Sequence, residues 1–467
     1  MKRATLEATD ENILQSIKEQ NGTRNTEIKD FIEALELIEG NMFISLDARW
    51  GEGKTFYVRQ IEKTLEYQTM KNFSTDDTQD ELDKMKLYFT GTTLEEIDLK
   101  HSYLPVYYNA WLYDNHGDPL MSLLYVIVKK CGIWIDSKLT KDKTEKLKDL
   151  IKSVQVSLGM FSIGGDKVID SFIEKDIFKD IQLAEDIRQK VKEIFNEIIE
   201  EQTQKLVIFI DELDRCKPSF TVRLLEQIKH YMHDERITYV LSINTEELQH
   251  TIKNYYGDSF DACRYLDRFF YLRINLPPVD KKKFYMNIEL NGRYYLEIIS
   301  RRIIDVYNMQ LREITRFYRQ VRTAAYVPTH DDEKWNCIFP DGEARQFMLS
   351  CIVPIIIGLK MVDISMYEQF ISGKSGKPMV DILNTKEFST GLLCRFLKED
   401  ESFSQIEKKK LITPEEKILE IYNAIFVNKY SGNDYQKTIG KCEFDADSRK
   451  FVLVAASMLS QYANYEI

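Results

Sequence analysis

Met42–Tyr57 reads MFISLDARWGEGKTFY and joins a short apolar run to a glycine-rich loop. The apolar part, Met42–Asp47, predicts a buried strand, and Ala48–Thr55 fits the phosphate-binding pattern G-x-x-x-x-G-K-[ST] at every position but the first. The glycines let successive backbone N–H groups point at phosphate oxygens. Lys54 supplies a positive charge for the β- and γ-phosphates, and Thr55 supplies a hydroxyl for Mg²⁺. A nucleotide site is therefore predicted, the alternative being a turn that binds nothing.

The whole loop is expected to contact the nucleotide. Its members are Ala48, Arg49, Trp50, Gly51, Glu52, Gly53, Lys54, Thr55 and Phe56. A helix is predicted to begin near Lys54 and to add its positive end to the site. Lys54 itself is expected to be exposed to solvent. Ala48 stands where the pattern has glycine, so the loop entrance must either keep a negative φ or carry strain.

Composition limits the classes of function. With 467 residues the chain is long enough for two or three domains. Its 64 Lys+Arg against 75 Asp+Glu give a net charge of −11, which argues against broad adhesion to nucleic acid or to an anionic membrane. The seven cysteines include no CxxC pair, and the N-terminus has no apolar stretch. A reducing, cytoplasmic location is expected.

Phe347–Leu359 is strongly apolar but is bracketed by Arg345 and Lys360. A membrane span needs about 20 apolar residues, so this run predicts a buried core helix and no membrane association.

Four further apolar runs of strand type alternate with helical segments. They are Leu104–Ala110, Leu206–Ile210, Ile237–Ile243 and Tyr271–Leu276. This alternation predicts an α/β fold with a parallel sheet covered on both faces. A helical insertion is expected at about 112–200, including a mixed-charge helix at Lys138–Lys152. Asn72–Lys100 is polar and is expected to form an excursion with few core residues. The predicted domains are a nucleotide-binding domain over 1–330 and a helical C-terminal domain over 331–467, with a capped helix start at Thr413.

The second half of the predicted site is LVIFIDELDR, in which a strand delivers acidic residues at its carboxyl end. We expect Asp211 to support Mg²⁺ and Glu212 to activate the attacking water, with Asp214 as a rival for either role. An extra strand in the sequence before the acidic strand suggests a sheet in which another strand separates it from the phosphate-loop strand. Asn244, after the next strand, is either a sensor of the γ-phosphate or a helix cap.

At this point four motifs resemble the KAP family of P-loop NTPases: RWGEGKT in the loop, YNAW at Tyr108–Trp111, IDELDRC at Ile210–Cys216 and YLDRFF at Tyr265–Phe270. The resemblance covers roughly residues 20–330 and implies a soluble, bacterial regulatory ATPase. Some members are membrane-anchored scaffolds, and bacterial members include phage-exclusion proteins. The chain departs from the family at Ala48 and Asn244, and its insertion has no segment apolar enough to span a membrane.

The YNAW motif carries over to Asn109 and Trp111. The resemblance implies that Asn109 could hold Glu212 by a hydrogen bond until ATP is seated, whereas a turn residue is the alternative. For Trp111 a core position is expected.

Arginines are the last candidates. A stripe on one helix face is formed by Arg312, Arg316, Arg319 and Arg322. It could be a solvated, salt-bridged face, an arginine reaching the nucleotide, or a small nucleic-acid contact, and the first is favoured. Arg312, and Arg268 of a neighbouring subunit, are candidates for stabilising the transferring phosphoryl group.

The predicted function is therefore Mg²⁺-dependent ATP hydrolysis that gates self-association or the binding of an unidentified protein partner. The alternative is a non-catalytic, nucleotide-dependent scaffold. A nucleic-acid motor has less support, because the chain is acidic and shows no nucleic-acid-binding module.

Overall fold

A computed structural model describes residues 7–19, 24–73, 79–135, 149, 153–154, 179–277, 279, 281–326, 342–386, 413–431 and 434–457. The chain divides into two compact units, Met1–Lys283 and Phe284–Ile467. This division falls earlier than the domain boundary expected near residue 330. The predicted helix Lys138–Lys152 lies outside the described residues except for residue 149.

The first unit contains a sheet of five parallel strands. They are β1 (Met42–Asp47), β2 (Tyr103–Asn109), β3 (Lys205–Asp211), β4 (Ile237–Ile243) and β5 (Leu272–Asn275). Their order is β2-β3-β4-β1-β5, which confirms the parallel α/β sheet and a strand separating β1 from β3. The separating strand is β4, whereas β2 pairs with the outer side of β3 and brings Asn109 opposite Asp211.

Helices cover both faces of this sheet. One face packs against α1 (Asp10–Lys18), α2 (Arg24–Glu36), α3 (Lys54–Phe73) and α4 (Gln79–Phe89). The other packs against α5 (Pro119–Ile135), α6 (Lys179–Gln202), α7 (Pro218–Tyr231), α8 (Thr245–Tyr256) and α9 (Ala262–Asp267). Side chains alternate along each strand, so Val207 and Phe209 face the first layer while Ile208 and Ile210 face the second.

The segment before β2 differs from its prediction. Instead of a polar excursion it contains α4 and a short 3₁₀ turn at Thr93–Glu96, and Met85, Phe89 and Leu94 are buried. A few apolar side chains suffice there, because the segment closes one end of the core formed with α1–α3.

The second unit is mainly helical. Its helices are α10 (Lys281–Asn287), which begins just before the division, α11 (Tyr295–Val306), α12 (Leu311–Tyr326), α13 (Gly342–Phe347), α14 (Val353–Val362), α15 (Ile364–Ile371), α16 (Lys377–Leu383), α17 (Pro414–Phe426) and α18 (Ala446–Ala456). An antiparallel hairpin, Gln436–Ile439 with Cys442–Asp445, was not predicted. The predicted capping box at Thr413 is confirmed.

The apolar segment of this unit is longer than predicted. A continuous helical stretch, Gly342–Val362, includes a π-helical segment at Met348–Ile352. With 21 residues, this helix of the described part of the chain is long and apolar enough to cross a membrane by length and composition alone. The expectation that the apolar segment is too short for a membrane span was therefore wrong. Pro354 does not end the stretch; it lies just after the π-helical segment, where that segment continues into α14. Within the protein, 67% of its apolar window is buried, as in a core helix.

Candidate functional site

The loop between β1 and α3 has the backbone that its sequence predicts. Gly51 and Gly53 have φ values of 89° and 91°, which residues other than glycine rarely adopt. Ala48 does not share a positive φ, and its N–H donates to the Ile243 carbonyl of β4 at 3.2 Å. The glycine missing from the pattern is therefore not required for the loop's shape. Phe56, in the first turn of α3, is half-buried against the core on that face of the sheet.

Lys54 is buried, contrary to its predicted exposure. Its side-chain ammonium donates to the carbonyl oxygens of Ala48 at 2.5 Å and of Arg49 at 3.2 Å. Burial lowers the pKa of Lys54, while the nearby carboxylates of Asp214 and Asp211 act in the opposite direction. The loop thus wraps around its own lysine and holds the charge at the inner side of the turn.

Asp211 connects the loop to the acidic strand. Its Oδ2 accepts hydrogen bonds from Thr55 Oγ1 at 2.7 Å and from the Tyr107 hydroxyl at 2.9 Å, and its Oδ1 accepts from the Glu212 N–H at 3.0 Å. Hydroxyl and carboxylate oxygens are ligands of the kind that Mg²⁺ prefers. In the part of the chain that is described, no group of three or more His, Cys, Asp or Glu could hold a metal ion alone. A bound Mg²⁺ would therefore need phosphate oxygens or water as further ligands.

Glu212 has a strained backbone. Its φ of 61° is in the left-handed region, which a non-glycine residue adopts only where its surroundings fix it. Burial raises the pKa of the Glu212 carboxyl, and the charge of Asp211 adds to this, while Arg215 opposes it. The Glu212 carboxylate forms an ion pair with the Arg215 side chain, three residues on.

Arg215 lies between two tryptophans. Its guanidinium carbon is 5.7 Å from the ring centres of both Trp50 and Trp111, within the range of cation–π contacts. Trp111 is 51% exposed, so its predicted core position was wrong. It follows a sheet edge strand and covers Arg215 instead of entering the core.

Asp214, the rival acid, is buried and accepts hydrogen bonds from two different segments. Its Oδ2 accepts from the Trp50 indole N–H at 2.7 Å and from the Asn244 backbone N–H at 2.9 Å. This carboxylate ties the phosphate loop to the end of β4.

The two asparagines both cap helical turns. The Asn109 side-chain oxygen accepts from the Leu112 N–H at 3.4 Å, so it serves its own turn, and the contact with Glu212 is made by Arg215. Asn244 caps α8, with its side-chain oxygen 3.2 Å from the Glu246 N–H. The capping alternative is thus observed for Asn244.

The two candidate arginines are both exposed. Arg268 is exposed at the end of α9, and its carbonyl accepts a hydrogen bond from Lys229. Arg312 is exposed on α12 in the second unit. Their roles in catalysis stay predictions.

Two contact residues of the site were missed in the sequence. Arg215 could have been found, because it stands at the i+3 position from Glu212 in a short turn. Tyr107 carries no such signal, since its partner depends on the pairing of β2 with β3.

The model of the KAP family P-loop domain matches residues 24–327, well over half of the chain. The chain belongs to the KAP family of P-loop NTPases. An uncharacterized protein of Methanocaldococcus jannaschii is 27% identical over 168 residues, which cover 28% of this chain and 84% of that protein. The KAP match extends past the division at Lys283 into the second unit.

Proposed function

We propose that this KAP-family protein binds Mg²⁺·ATP and hydrolyses it, and that the nucleotide cycle gates assembly or partner binding. One observation carries the proposal. The Thr55 hydroxyl of the phosphate loop lies 2.7 Å from the Asp211 carboxylate of β3, so two segments distant in sequence form one oxygen-lined position beside Lys54. This pairing is the one that a magnesium-nucleotide site requires.

Each residue has a defined task in this chemistry. Lys54 would exchange its two carbonyl partners for oxygens of the β- and γ-phosphates, and the loop N–H groups would bind the same phosphates. Mg²⁺, when bound, neutralises charge on these phosphates. Glu212 would accept a proton from the water that attacks the γ-phosphorus, while the bond to the β-phosphate oxygen breaks and ADP leaves.

A regulatory role is favoured by the state of Glu212. Its carboxylate is paired with Arg215, so it must leave or share this ion pair before it can accept a proton from water. Since Trp50 belongs to the phosphate loop and also contacts Arg215, loop closure on ATP could change that pairing. Slow, conditional hydrolysis suits a switch. A role in phage defence is proposed from the family resemblance, and a cytoplasmic location is proposed from the cysteine usage.

The ion pair between Glu212 and Arg215 also supports the alternative function, a non-catalytic scaffold. If Arg215 keeps Glu212 permanently, the protein binds ATP as a scaffold and hardly hydrolyses it.

Steady-state phosphate release separates the two functions. Wild-type protein is measured with and without Mg²⁺, DNA and candidate partner proteins. Thr55→Val is compared with Thr64→Val, which removes another hydroxyl of α3 that bonds only within its helix, at 2.7 Å to the Gln60 carbonyl. We expect Mg²⁺-dependent release in the wild type and in Thr64→Val and its loss in Thr55→Val. Tight ATP binding without release under all conditions would favour the scaffold.

Self-association is the second element of the proposal. Arg268 or Arg312 would complete the site of a neighbouring copy. Sedimentation with a non-hydrolysable ATP analogue should show a larger species than without nucleotide, and Arg268→Ala or Arg312→Ala should lower turnover. A strict monomer whose turnover per chain is independent of protein concentration would refute this element.

A further inference from the structure

Two adjacent tyrosines of β2 point to opposite faces of the sheet. Tyr108 is buried in the layer that contains α5, and its hydroxyl pairs with Ser122 Oγ at 2.7 Å. Tyr107 faces the layer that contains α3, and its hydroxyl donates to Asp211 Oδ2 at 2.9 Å. Only the second hydroxyl therefore reaches the nucleotide site.

Strand pairing explains this reach. Tyr107 lies opposite Phe209 and Asn109 lies opposite Asp211, so the Tyr107 side chain extends diagonally along the sheet to the end of β3. The oxygen that it contacts also accepts the Thr55 hydroxyl. Two donors from different elements, Thr55 and Tyr107, thus fix the carboxylate oxygen that is proposed to bind Mg²⁺.

The Tyr107 ring is itself held in place. The Arg59 guanidinium carbon lies 4.7 Å from the ring centre, and Arg59 forms ion pairs with the buried Glu62 and with Asp10. Glu62 is in turn 3.6 Å from Lys130 of α5.

From this geometry we infer that Tyr107 is a positioning residue for the metal-binding oxygen of Asp211. The inference rests on the proposed function, since it concerns the Mg²⁺ of the same site. Tyr107 selects the orientation in which Asp211 Oδ2 faces Thr55, so that the oxygen is in place before Mg²⁺·nucleotide arrives. Partners that orient a metal-binding carboxylate typically change metal affinity by about 10–100-fold when removed.

The test measures binding, without turnover. The affinity of full-length protein for a fluorescent, non-hydrolysable ATP analogue is determined with Mg²⁺ and with EDTA. The affinity with Mg²⁺ divided by the affinity with EDTA reports the contribution of the metal. In Tyr107→Phe this ratio should fall about 10-fold, while affinity in EDTA stays unchanged. Tyr108→Phe is the matched control, because it removes a hydroxyl from the neighbouring residue on the opposite face, and it should keep the wild-type ratio.

A second comparison separates positioning from a general loss of structure. Asp211→Asn already removes the carboxylate, so adding Tyr107→Phe to it should lower the ratio no further. Independent, additive effects of the two substitutions would overturn the inference, as would an unchanged ratio in Tyr107→Phe or an equal fall in Tyr108→Phe. A wild-type protein whose affinity does not depend on Mg²⁺ would instead overturn the proposed function and the role of Tyr107 together.

Discussion

The segments after β1 and β3 meet at the same edge of the sheet, but they are held by different kinds of interaction. The β1 segment owes its shape to two glycines with positive φ and to a lysine wrapped by loop carbonyls. The β3 segment is held by acidic side chains, of which Asp211 and Asp214 each accept hydrogen bonds from other elements. Glu212 alone of these three acids is held by a local ion pair and a strained backbone. The contrast separates two acids that are held by other elements from Glu212, the acid proposed as the base, which is held by its own turn.

Removing Lys54 should have the largest effect on the β1 side. Lys54→Ala should weaken ATP binding by about 10- to 100-fold, because hydrogen bonds to charged groups contribute about 1.5–3 kcal/mol each. Lys71→Ala is a matched control in the last turn of the same helix, where the ammonium also donates to a carbonyl, that of Glu95 at 2.6 Å. Titration of a fluorescent ATP analogue measures both. Equal affinity of Lys54→Ala and wild type would remove the loop from the site.

Removing Asp214 tests whether its role is structural. Asp214→Ala removes the hydrogen bonds from the Trp50 indole N–H and the Asn244 N–H, which are part-buried and contribute about 0.5–1.5 kcal/mol each. The free energy of unfolding should fall accordingly, as measured by chemical denaturation. Trp50→Phe removes the same indole contact, so the double variant should lose less than the sum of the two single variants. Strictly additive losses would show that the hydrogen bond contributes nothing.

The sequence predicts backbone features of this site better than its side-chain partners. The glycine spacing of the loop and the apolar run of β3 act locally, so the turn, the strands and the helix start at Lys54 follow from neighbouring residues. The partners of Tyr107, Asp214 and Trp111 depend instead on which strands pair and on where their ends meet. The burial of Lys54 likewise depends on the loop as a whole, and no single position reveals it.

The length of the helical stretch that contains Pro354 was not predicted correctly. The apolar run Phe347–Leu359 suggested a short segment, yet the helix extends from Gly342 to Val362, five residues before the run and three after it. The capping box at Thr413, a purely local signal, was predicted correctly.

The smallest expected effect is a change in the pH dependence of stability when Glu62, a buried acid of α3, is replaced. Burial raises the pKa of Glu62 to about 7, and the neighbouring Glu66 adds to this. Because the folded-state pKa lies above the value of 4.5 for a solvated glutamate, this group stabilises the fold fully at low pH, and its contribution is lost as the pH rises through about 7. Between pH 5 and pH 8, the free energy of unfolding should therefore fall less in Glu62→Gln than in the wild type.

Glu33→Gln, on the exposed face of α2, is the control for that pH series, and it should follow the wild-type profile. Parallel profiles for Glu62→Gln and wild type would show that Glu62 does not titrate in this range.

The assignment of the base to Glu212 and not to Asp214 is tested most directly by measuring ATP affinity and phosphate release in parallel on wild type, Glu212→Gln and Asp214→Asn. Glu212→Gln keeps the size of the side chain but removes the base, so ATP should still bind while turnover falls by about 10²–10⁴-fold. Asp214→Asn retains a side-chain oxygen that can accept from Trp50, so it should keep most of its turnover. The opposite result, with Glu212→Gln near wild type and Asp214→Asn inactive while still binding ATP, would show that Glu212 is not the base.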